Sequence, residues 1–553
     1  MGKTKGLRKQ SRGLPGMRLR WITMALAGLL VLSGTVGAFE IKTGIEDLDL
    51  RWDNTFKYNF GYRTKGQDNA ILKFPNADDG DRNFNKGIVS NRIDILSEFD
   101  IQIKKRFGAR FSAAGWYDQR YHGSLDNNSV ATSNHLENGR PALGLHNVTK
   151  RYFAGPDGEL LDAFAFGKFD LGAVPVNLKV GRHTVYWGES LLFSGAIHSV
   201  SYAQMPIDTL KAFAVPGSEA KELFRPLFNV STQAQLTDKF SVAAQYFLEW
   251  EPYRLPEAGA YLGFSDVLLQ GGESLIAGPV RFIHGNDIQP SGKKDWGLSA
   301  RWTPQWLDGT IGAYYRRLSD KLPQTQLNPA KGQYFFVYGD SIDLYGLSLA
   351  KQILGISVGA EVSYRKNMPL ISDAVASTQR PAEGETLGAR GNTWHGLVNF
   401  VGIVTPPLCD LAAWSLEFTW SRWDTVTQGL QYFKGRGGYT AIDLVTPDYA
   451  GFGINFTPTW YQVFPGMDLS MPLSYSRGLF GNSAITLGGN ENAGNYSLGV
   501  SLDAYSKYRF DLKYIDFIGD YVTGPTGAVT VANGPLALLS DRGMVTFTFK
   551  VTF

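Results

Sequence analysis

The sequence predicts an all-β protein: a transmembrane antiparallel β-barrel of about 18 strands with one inward-folded loop. Three observations predict this fold. Segments of about 11 residues alternate apolar with polar side chains, short and long connections follow each other in turn, and aromatic residues stand near segment ends. The composition agrees, because 63 glycines and 13% aromatic residues suit many turns and strands better than a helical enzyme.

The first 38 residues have the three parts of a secretory signal peptide. A basic stretch precedes an apolar run from Trp21 to Leu32, and small residues follow up to Ala38. The apolar run is shorter than the roughly 20 residues that a membrane-spanning helix needs. We therefore expect cleavage after Ala38, with residues 39–553 forming the barrel.

The charge balance excludes one class of partner. The whole chain has a formal net charge of +3, but the leader holds seven basic residues and no acidic one, so the remainder carries −4. No basic face is left for binding nucleic acid. Cys409 is the single cysteine and forms no intrachain disulfide. We expect no cofactor.

Alternation is clearest where the predicted barrel begins. From Leu48 to Tyr62 the apolar residues fall on even positions and the polar ones on odd positions, which places them on opposite faces of a strand. The pattern resumes at Arg92, turns at Lys105-Arg106 and continues in pairs of segments to the end of the chain. A soluble β-sandwich also alternates, but its strands are typically five or six residues long.

The last segment ends in an aromatic residue. Val545, Phe547, Phe549, Val551 and Phe553 alternate with polar residues. This arrangement resembles the C-terminal signal that the barrel-assembly machinery reads on outer-membrane proteins. We therefore expect that machinery, outer-membrane lipids and lipopolysaccharide to be partners of the chain.

Several short motifs resemble the domain of unknown function 1302 family, and the resemblance covers nearly the whole chain after the leader. The motifs are Trp52-Asp53-Asn54-Thr55, Asp78-Asp79-Gly80-Asp81, Val180-Gly181-Arg182, Trp187-Gly188-Glu189-Ser190, Pro206-Ile207-Asp208, Pro216-Gly217, Glu249-Trp250 and Lys321-Leu322-Pro323. The resemblance implies a proteobacterial outer-membrane barrel. It also implies a periplasmic carrier and an inner-membrane exporter-like protein as partners in a trans-envelope pathway. It supplies no catalytic residue.

One long segment, from Trp187 to Phe228, alternates far less than the others and is rich in apolar side chains. A loop this apolar is unsuited to free exposure in water, so we expect it to plug or constrict the barrel. We expect Glu189 to anchor it by a bidentate bond from an arginine, with solute contact as the alternative role. The candidate lumen residues are Arg182, His183, Trp187, Glu189, Asp208 and Glu249.

An acidic stretch near the start of the chain has oxygen ligands at calcium-like spacing. Asp79, Asp81 and Asn83 are weak calcium candidates, because Phe84 and Ser90 stand where an EF-hand needs glycine and glutamate. A solvated acidic turn is the competing interpretation.

The mixed polar and apolar interior favours a channel or transporter for hydrophobic or amphipathic small molecules. A general hydrophilic porin and a docking endpoint for periplasmic lipid carriers are the alternatives. An outer-membrane hydrolase is disfavoured, because we find no strand-borne pairing of serine with histidine.

Overall fold

The computed structural model describes residues 39–41, 43–215, 217–269 and 271–553, so the predicted signal peptide lies outside the described residues. Eighteen antiparallel strands close into one barrel, which confirms the predicted fold class and strand number. The barrel strands, β1 to β18 in chain order, are Leu48–Arg63, Gly87–Ile103, Phe107–Asp118, Asp157–Leu171, Val174–His183, Leu227–Thr237, Phe240–Phe247, Trp296–Trp302, Gly309–Leu318, Ile342–Ile353, Ile356–Pro369, Arg390–Val404, Leu411–Gln428, Asp448–Phe464, Met467–Ser470 continued by Leu473–Phe480, Gly494–Ala504, Tyr508–Ile518 and Met544–Thr552.

The first and last strands close the barrel. β1 pairs with β2 on one edge and with β18 on the other, where Phe56 lies opposite Val551. Phe553 then exchanges two backbone hydrogen bonds with Asn54, of 2.8 and 2.9 Å. Beyond that point the short strand Phe39–Ile41 continues along the same edge of β1. No stretch of β1 from Leu50 onward is therefore left without a partner strand.

The connections alternate as predicted. Eight turns of two to six residues join the strands at one end of the barrel, and nine longer loops join them at the other. The turn after β10 shows how tight the short ones are. It consists only of Leu354 and Gly355, both with positive φ, as a two-residue turn between twisted strands requires.

The two faces of the wall differ in polarity. Outward-facing Ile95, Leu347, Leu498 and Leu512 are each more than half exposed, which suits contact with lipid. The alternate positions carry polar and charged side chains that face the lumen. A closed barrel satisfies every ladder hydrogen bond internally, as a spanning structure must. The protein is therefore an outer-membrane β-barrel. Within the described ranges, no helix is long and apolar enough to cross a membrane.

The long loops fold over the barrel mouth. They contain a five-stranded sheet and two small hairpins, formed by Ser274–Ala277, Val280–His284, Gln324–Asn328, Gln333–Val337, Val375–Ala376, Leu136–Glu137, Arg140–Pro141, Tyr521–Thr523 and Val529–Ala532. Their helical turns are Ile71–Lys73, Asp79–Arg82, Gln119–His122, Asn147–Thr149, Lys150–Ala154, Leu430–Tyr432 and Pro535–Leu539. The fully buried Arg63 at the end of β1 ties these loops down through Asp81 and Asp541, at 2.6 and 2.8 Å.

The C-terminal closure gives a first testable prediction. Deleting Phe553 removes both backbone bonds to Asn54 and the terminal aromatic residue, so we expect less folded barrel in the outer membrane. The measurement is the fraction of the protein whose gel migration shifts on heating, since folded barrels resist detergent. Phe553→Tyr is the matched control and should assemble normally. Full assembly of the deletion variant would contradict the prediction.

Candidate functional site

The loop between β5 and β6 folds into the barrel, as the sequence predicts for this segment. It spans residues 184–226, which we call the plug loop. It begins and ends slightly earlier than predicted, because β5 ends at His183 and Phe228 already belongs to β6. It contains three short helices: α1 (Phe193–His198), α2 (Thr209–Ala214) and α3 (Ala220–Leu223). Between α1 and α2, the side chains of Val200 and Met205 are completely buried.

Glu361 of β11 holds the first half of the plug loop. Its Oε1 accepts hydrogen bonds from the backbone N–H groups of Glu189 and Ser190, and its Oε2 accepts one of 2.7 Å from Val200. These N–H groups lie outside regular secondary structure and would otherwise be buried without an acceptor. A buried carboxylate tolerates its loss of water only with such donors. The carboxylate of Glu361 therefore supplies acceptors for the loop N–H groups, and these groups supply the donors that the buried carboxylate needs.

Glu417 of β13 does the same one step further along the loop. Its two oxygens accept hydrogen bonds of 2.7 and 3.1 Å from the N–H groups of Leu191 and Leu192. The carboxylate also lies against Gly195 so closely that a Cβ at this position would be 2.1 Å from an oxygen. Glycine is needed there because any side chain would push the loop off the wall.

Two buried arginines bind the carbonyl groups of the same segment. Arg365 of β11 donates to the carbonyls of Ile197 and Ser199, at 2.9 and 3.0 Å. Arg316 of β9 donates to that of Tyr202 at 2.6 Å. The wall thus recognises the loop backbone with anions on its N–H groups and cations on its carbonyls.

A pair of histidines completes this contact. His198 of α1 and His395 of β12 face each other through their Nδ1 atoms at 2.9 Å. The Nε2 of His198 lies 2.7 Å from the carbonyl of Gly488, so this nitrogen carries the proton. His395 must then donate through Nδ1, and its Nε2 accepts from the hydroxyl of Thr393 at 2.8 Å. Both imidazoles are therefore neutral in this arrangement.

The predicted residues Arg182 and Glu249 meet at the end of the barrel that carries the long loops. Arg182 Nη1 lies 2.5 Å from Glu249 Oε1, and Arg182 Nη2 lies 3.1 Å from Glu251 Oε1. Arg182 is therefore not the arginine that was expected to bind Glu189. Glu189 instead approaches Arg301 at 3.5 Å, and its own backbone is what anchors the loop.

Asp208 extends this arrangement into the plug loop. Its carboxylate caps α2 by accepting from the backbone N–H of Lys211 at 3.0 Å, and it lies 3.3 Å from Arg254. Arg254 pairs with Glu159 at 2.5 Å, and Glu159 in turn approaches Arg225 at 3.4 Å. Arg225 also pairs with Glu251, which binds Arg182 as well, so the charges form one continuous network. This rim network ties both ends of the plug loop to the wall.

Of the other two predicted residues, Trp187 of the plug loop packs against the wall, and His183 lies within it. Trp187 lies against Tyr314, with ring centroids 6.3 Å apart. His183 contacts Ser231 on the neighbouring strand, with 2.7 Å between Nε2 and Oγ. The sequence interpretation missed this pairing of serine with histidine. Its third partner is the backbone carbonyl of Gly181, at 3.0 Å from Nδ1, whereas serine activation uses a carboxylate or amide there.

The three weak calcium candidates are not gathered at one point. Asp79 accepts a hydrogen bond of 2.8 Å from the backbone of Asn134 and contacts His146 at 3.1 Å, while Asp81 pairs with Arg63 and Asn83 donates to a carbonyl. Burial lowers the pKa of His146, but the hydrogen bond to Asp79 and the negative charges of Asp79, Asp266 and Glu273 together outweigh it, so the net shift is upward. Among the residues described, no group of three His, Cys, Asp or Glu could hold a metal ion.

The plug loop docks on one side of the lumen. On the anchored side, formed by β9 and β11–β13, the inward-facing Arg365 and Glu417 are both fully buried. On the open side, formed by β1–β4 and β16–β18, the side chains of Asp100, Arg110 and Arg509 are 32–42% exposed. The plug loop therefore lies against the anchored side, and these charged residues of the open side remain partly exposed.

A family model described as "Protein of unknown function (DUF1302)" matches residues 20–553. The chain belongs to this DUF1302 family. No curated protein sequence matches it. Similar solved structures include OccAB4 of Acinetobacter baumannii, at 11% identity and a TM-score of 0.41 over 91% of this chain and 98% of that one. OccD3 (OpdP) of Pseudomonas aeruginosa has 10% identity and a TM-score of 0.39 over 94% of both chains. A BenF-like porin from Pseudomonas fluorescens Pf-5 has 9% identity and a TM-score of 0.41 over 92% and 98%.

The anchors of the plug loop in this DUF1302 protein were visible in the sequence only as inward-facing charges. Alternation along β11 and β13 indicates that Glu361, Arg365 and Glu417 face the lumen. It carries no information on which of them a distant loop will cover. Glu361 and Ser190 are 171 positions apart, so the sequence pattern could not pair them.

The carboxylate anchors give a second prediction. In the double variant Glu361→Gln and Glu417→Gln, an amide N–H₂ faces backbone N–H groups, and each lost charge-assisted bond costs about 1.5–3 kcal/mol. We expect the plug loop to undock, which proteolysis within residues 189–220 and noisier, larger single-channel currents should reveal. Glu98→Gln on the open side is the control, and equal behaviour of the two variants would contradict the assignment.

Proposed function

We propose that this DUF1302 protein is a selective channel for small amphipathic or hydrophobic molecules, which pass between the plug loop and the open side of the barrel. The observation that carries the proposal is the docking of the plug loop against one side of the lumen. A wide barrel would otherwise leave an aqueous pore. Here an apolar loop narrows it while a charged, water-accessible wall remains opposite.

A cavity beside the plug loop supports this choice of solute. It has a volume of about 130 Å³ and is lined by Phe193, Phe213 and Leu536, together with Ser476 and Asn495 from the wall. Apolar surface with a few polar groups is how sites for amphipathic ligands are generally built. A porin for sugars has no use for such a surface, since apolar patches tend to dewet the path.

The alternatives lead to different observations. A general hydrophilic porin predicts similar passage of sugars and amphipathic compounds. A docking endpoint for periplasmic carriers predicts lipid transfer without conductance, across a surface that the short turns keep small. The periplasmic carrier and exporter-like partners belong to the proposed trans-envelope route. The Nδ1 atom of His183 contacts the backbone carbonyl of Gly181, where a serine hydrolase uses a carboxylate or an amide, so this pair offers no support for a hydrolase.

Shortening the plug loop tests whether it narrows the path. Replacing residues 194–218 with a short Gly-Ser linker keeps the segment that Glu361 and Glu417 bind first but removes the apolar bulk. We expect a clear rise in single-channel conductance in planar bilayers. Deleting residues 137–140 from an outer-loop hairpin is the control. A gel-shift assay identifies folded barrels, and unchanged conductance in a folded variant would place the constriction elsewhere.

Loss of the protein tests the kind of cargo. A deletion strain should accumulate or release a labelled hydrophobic compound differently from its parent, while uptake of a labelled sugar and amino acid stays the same. Complementation with the intact chain should restore the difference. An equal defect for all three compounds would indicate a general porin, and a defect for the sugar alone would exclude the proposed cargo.

A further inference from the structure

We propose that the cavity beside the plug loop is a subsite for uncharged molecules that combine one aromatic ring with a hydroxyl group. This inference rests on the proposed function and narrows its cargo from amphipathic molecules in general to neutral aromatic alcohols. It starts from the two faces of the cavity, which are built from different kinds of residue.

Apolar side chains of the plug loop and the outer loops form one face of the cavity. Phe193 of α1 and Phe213 of α2 pack edge to face there, with ring centroids 6.2 Å apart. Leu192 of the plug loop, Leu487 of the loop between β15 and β16, and Leu536 also line the cavity. This face therefore offers apolar contact to the carbon body of a solute.

The barrel wall forms the other face, which is polar. Glu417, which anchors the plug loop, lies opposite Gly453 of β14. Gly453 in turn lies opposite Ser476 of β15, and Ser476 lies opposite Asn495 of β16. Residues directly opposite on neighbouring strands share one face of the sheet. Ser476 and Asn495 therefore project into the lumen on the same face as the anchoring carboxylate, where both line the cavity.

These wall side chains keep hydrogen-bonding groups that the protein does not use. Ser476 Oγ donates to the amide oxygen of Asn495 at 2.7 Å, and Asn455 of β14 donates to the carbonyl of Gly217 at 3.1 Å. Within the described ranges, the amide N–H₂ of Asn495 has no acceptor, and the amide oxygen of Asn455 has no donor. A hydroxyl group on a solute can bind either of them, because it both donates and accepts.

The charge of the cavity lining excludes ions. Among the described residues that line the cavity, Arg477 is the one with a charged side chain. This side chain alternates with that of Ser476 and so projects from the outer face of β15, where it donates to Asn492 at 3.0 Å. Burying a charge without a partner costs far more than burying a hydroxyl group that forms a hydrogen bond. The cavity therefore favours an uncharged solute over a carboxylate or an ammonium ion.

The volume of the cavity sets the size of the solute. It is about 130 Å³. An apolar protein cavity of about 150 Å³ binds benzene. One aromatic ring therefore fills the space between the two faces.

Binding of benzyl alcohol to the full-length protein in detergent, measured by titration calorimetry, tests the subsite. Benzoate and benzylammonium are matched probes that have the same ring and a negative or positive charge. Detergent micelles also take up such molecules, so binding at the subsite is the part that Ser476→Phe removes, because the new ring occupies the cavity. We expect the subsite to bind benzyl alcohol at least tenfold more tightly than either ion.

Two further variants separate the roles of the two faces. Asn495→Leu removes the unused amide and should lower the affinity for benzyl alcohol to that for toluene, which has the ring without the hydroxyl group. Thr546→Phe adds a ring to the lumen face of β18 and should leave benzyl alcohol binding unchanged. A heat-dependent gel shift identifies the folded barrels. Benzyl alcohol binding that Ser476→Phe and Asn495→Leu both leave intact would overturn the subsite, and equally tight binding of benzoate there would overturn its neutral cargo.

Failure of the subsite and failure of the proposed function give different results. A protein that conducts, and conducts more after shortening of the plug loop, but binds no benzyl alcohol in the cavity would overturn the subsite alone. A protein that binds benzyl alcohol in the cavity but never conducts would instead overturn the proposed channel.

Discussion

The arrangement of the lumen depends on how the barrel satisfies the backbone of a loop that has little regular hydrogen bonding of its own. Residues 189–202 run through the interior, where each unpaired N–H or C=O would be costly. Glu361 and Glu417 accept from five of the N–H groups, and Arg316 and Arg365 donate to carbonyls in the same stretch. These four side chains form hydrogen bonds with the backbone of the plug loop, as a neighbouring strand does with the backbone of an edge strand.

The asymmetry of the lumen follows from this anchoring. All four anchors stand on β9, β11 and β13, so the loop is drawn to one wall and buries the charges there. The opposite wall keeps charged residues partly exposed, and several of these form ion pairs, within one strand for Arg92 and Arg509 and between neighbouring strands for Arg110.

The fold could be predicted from the sequence to a large extent, because alternation is a local property. The parity of residues 48–62 already indicates which side chains meet lipid, and the spacing of turns indicates the number of strands. The inward packing of the plug loop could also be predicted from its apolar content. Its anchors could not, because a carboxylate at position 361 and a peptide group at position 190 meet only after closure. Which arginine approaches Glu189 could not be predicted for the same reason.

Holding the plug loop by its main chain has an evolutionary consequence. Peptide N–H and C=O groups are present whatever the side chain, so most positions of residues 189–202 can mutate without losing a docking bond. Positions such as Gly188 and Gly195, where a Cβ would collide with the anchoring carboxylates, are the exceptions. Side chains that face the passage are therefore free to diversify on a fixed scaffold. For the proposed channel function, homologous barrels could acquire new solutes by substitution there while the docked geometry is inherited unchanged.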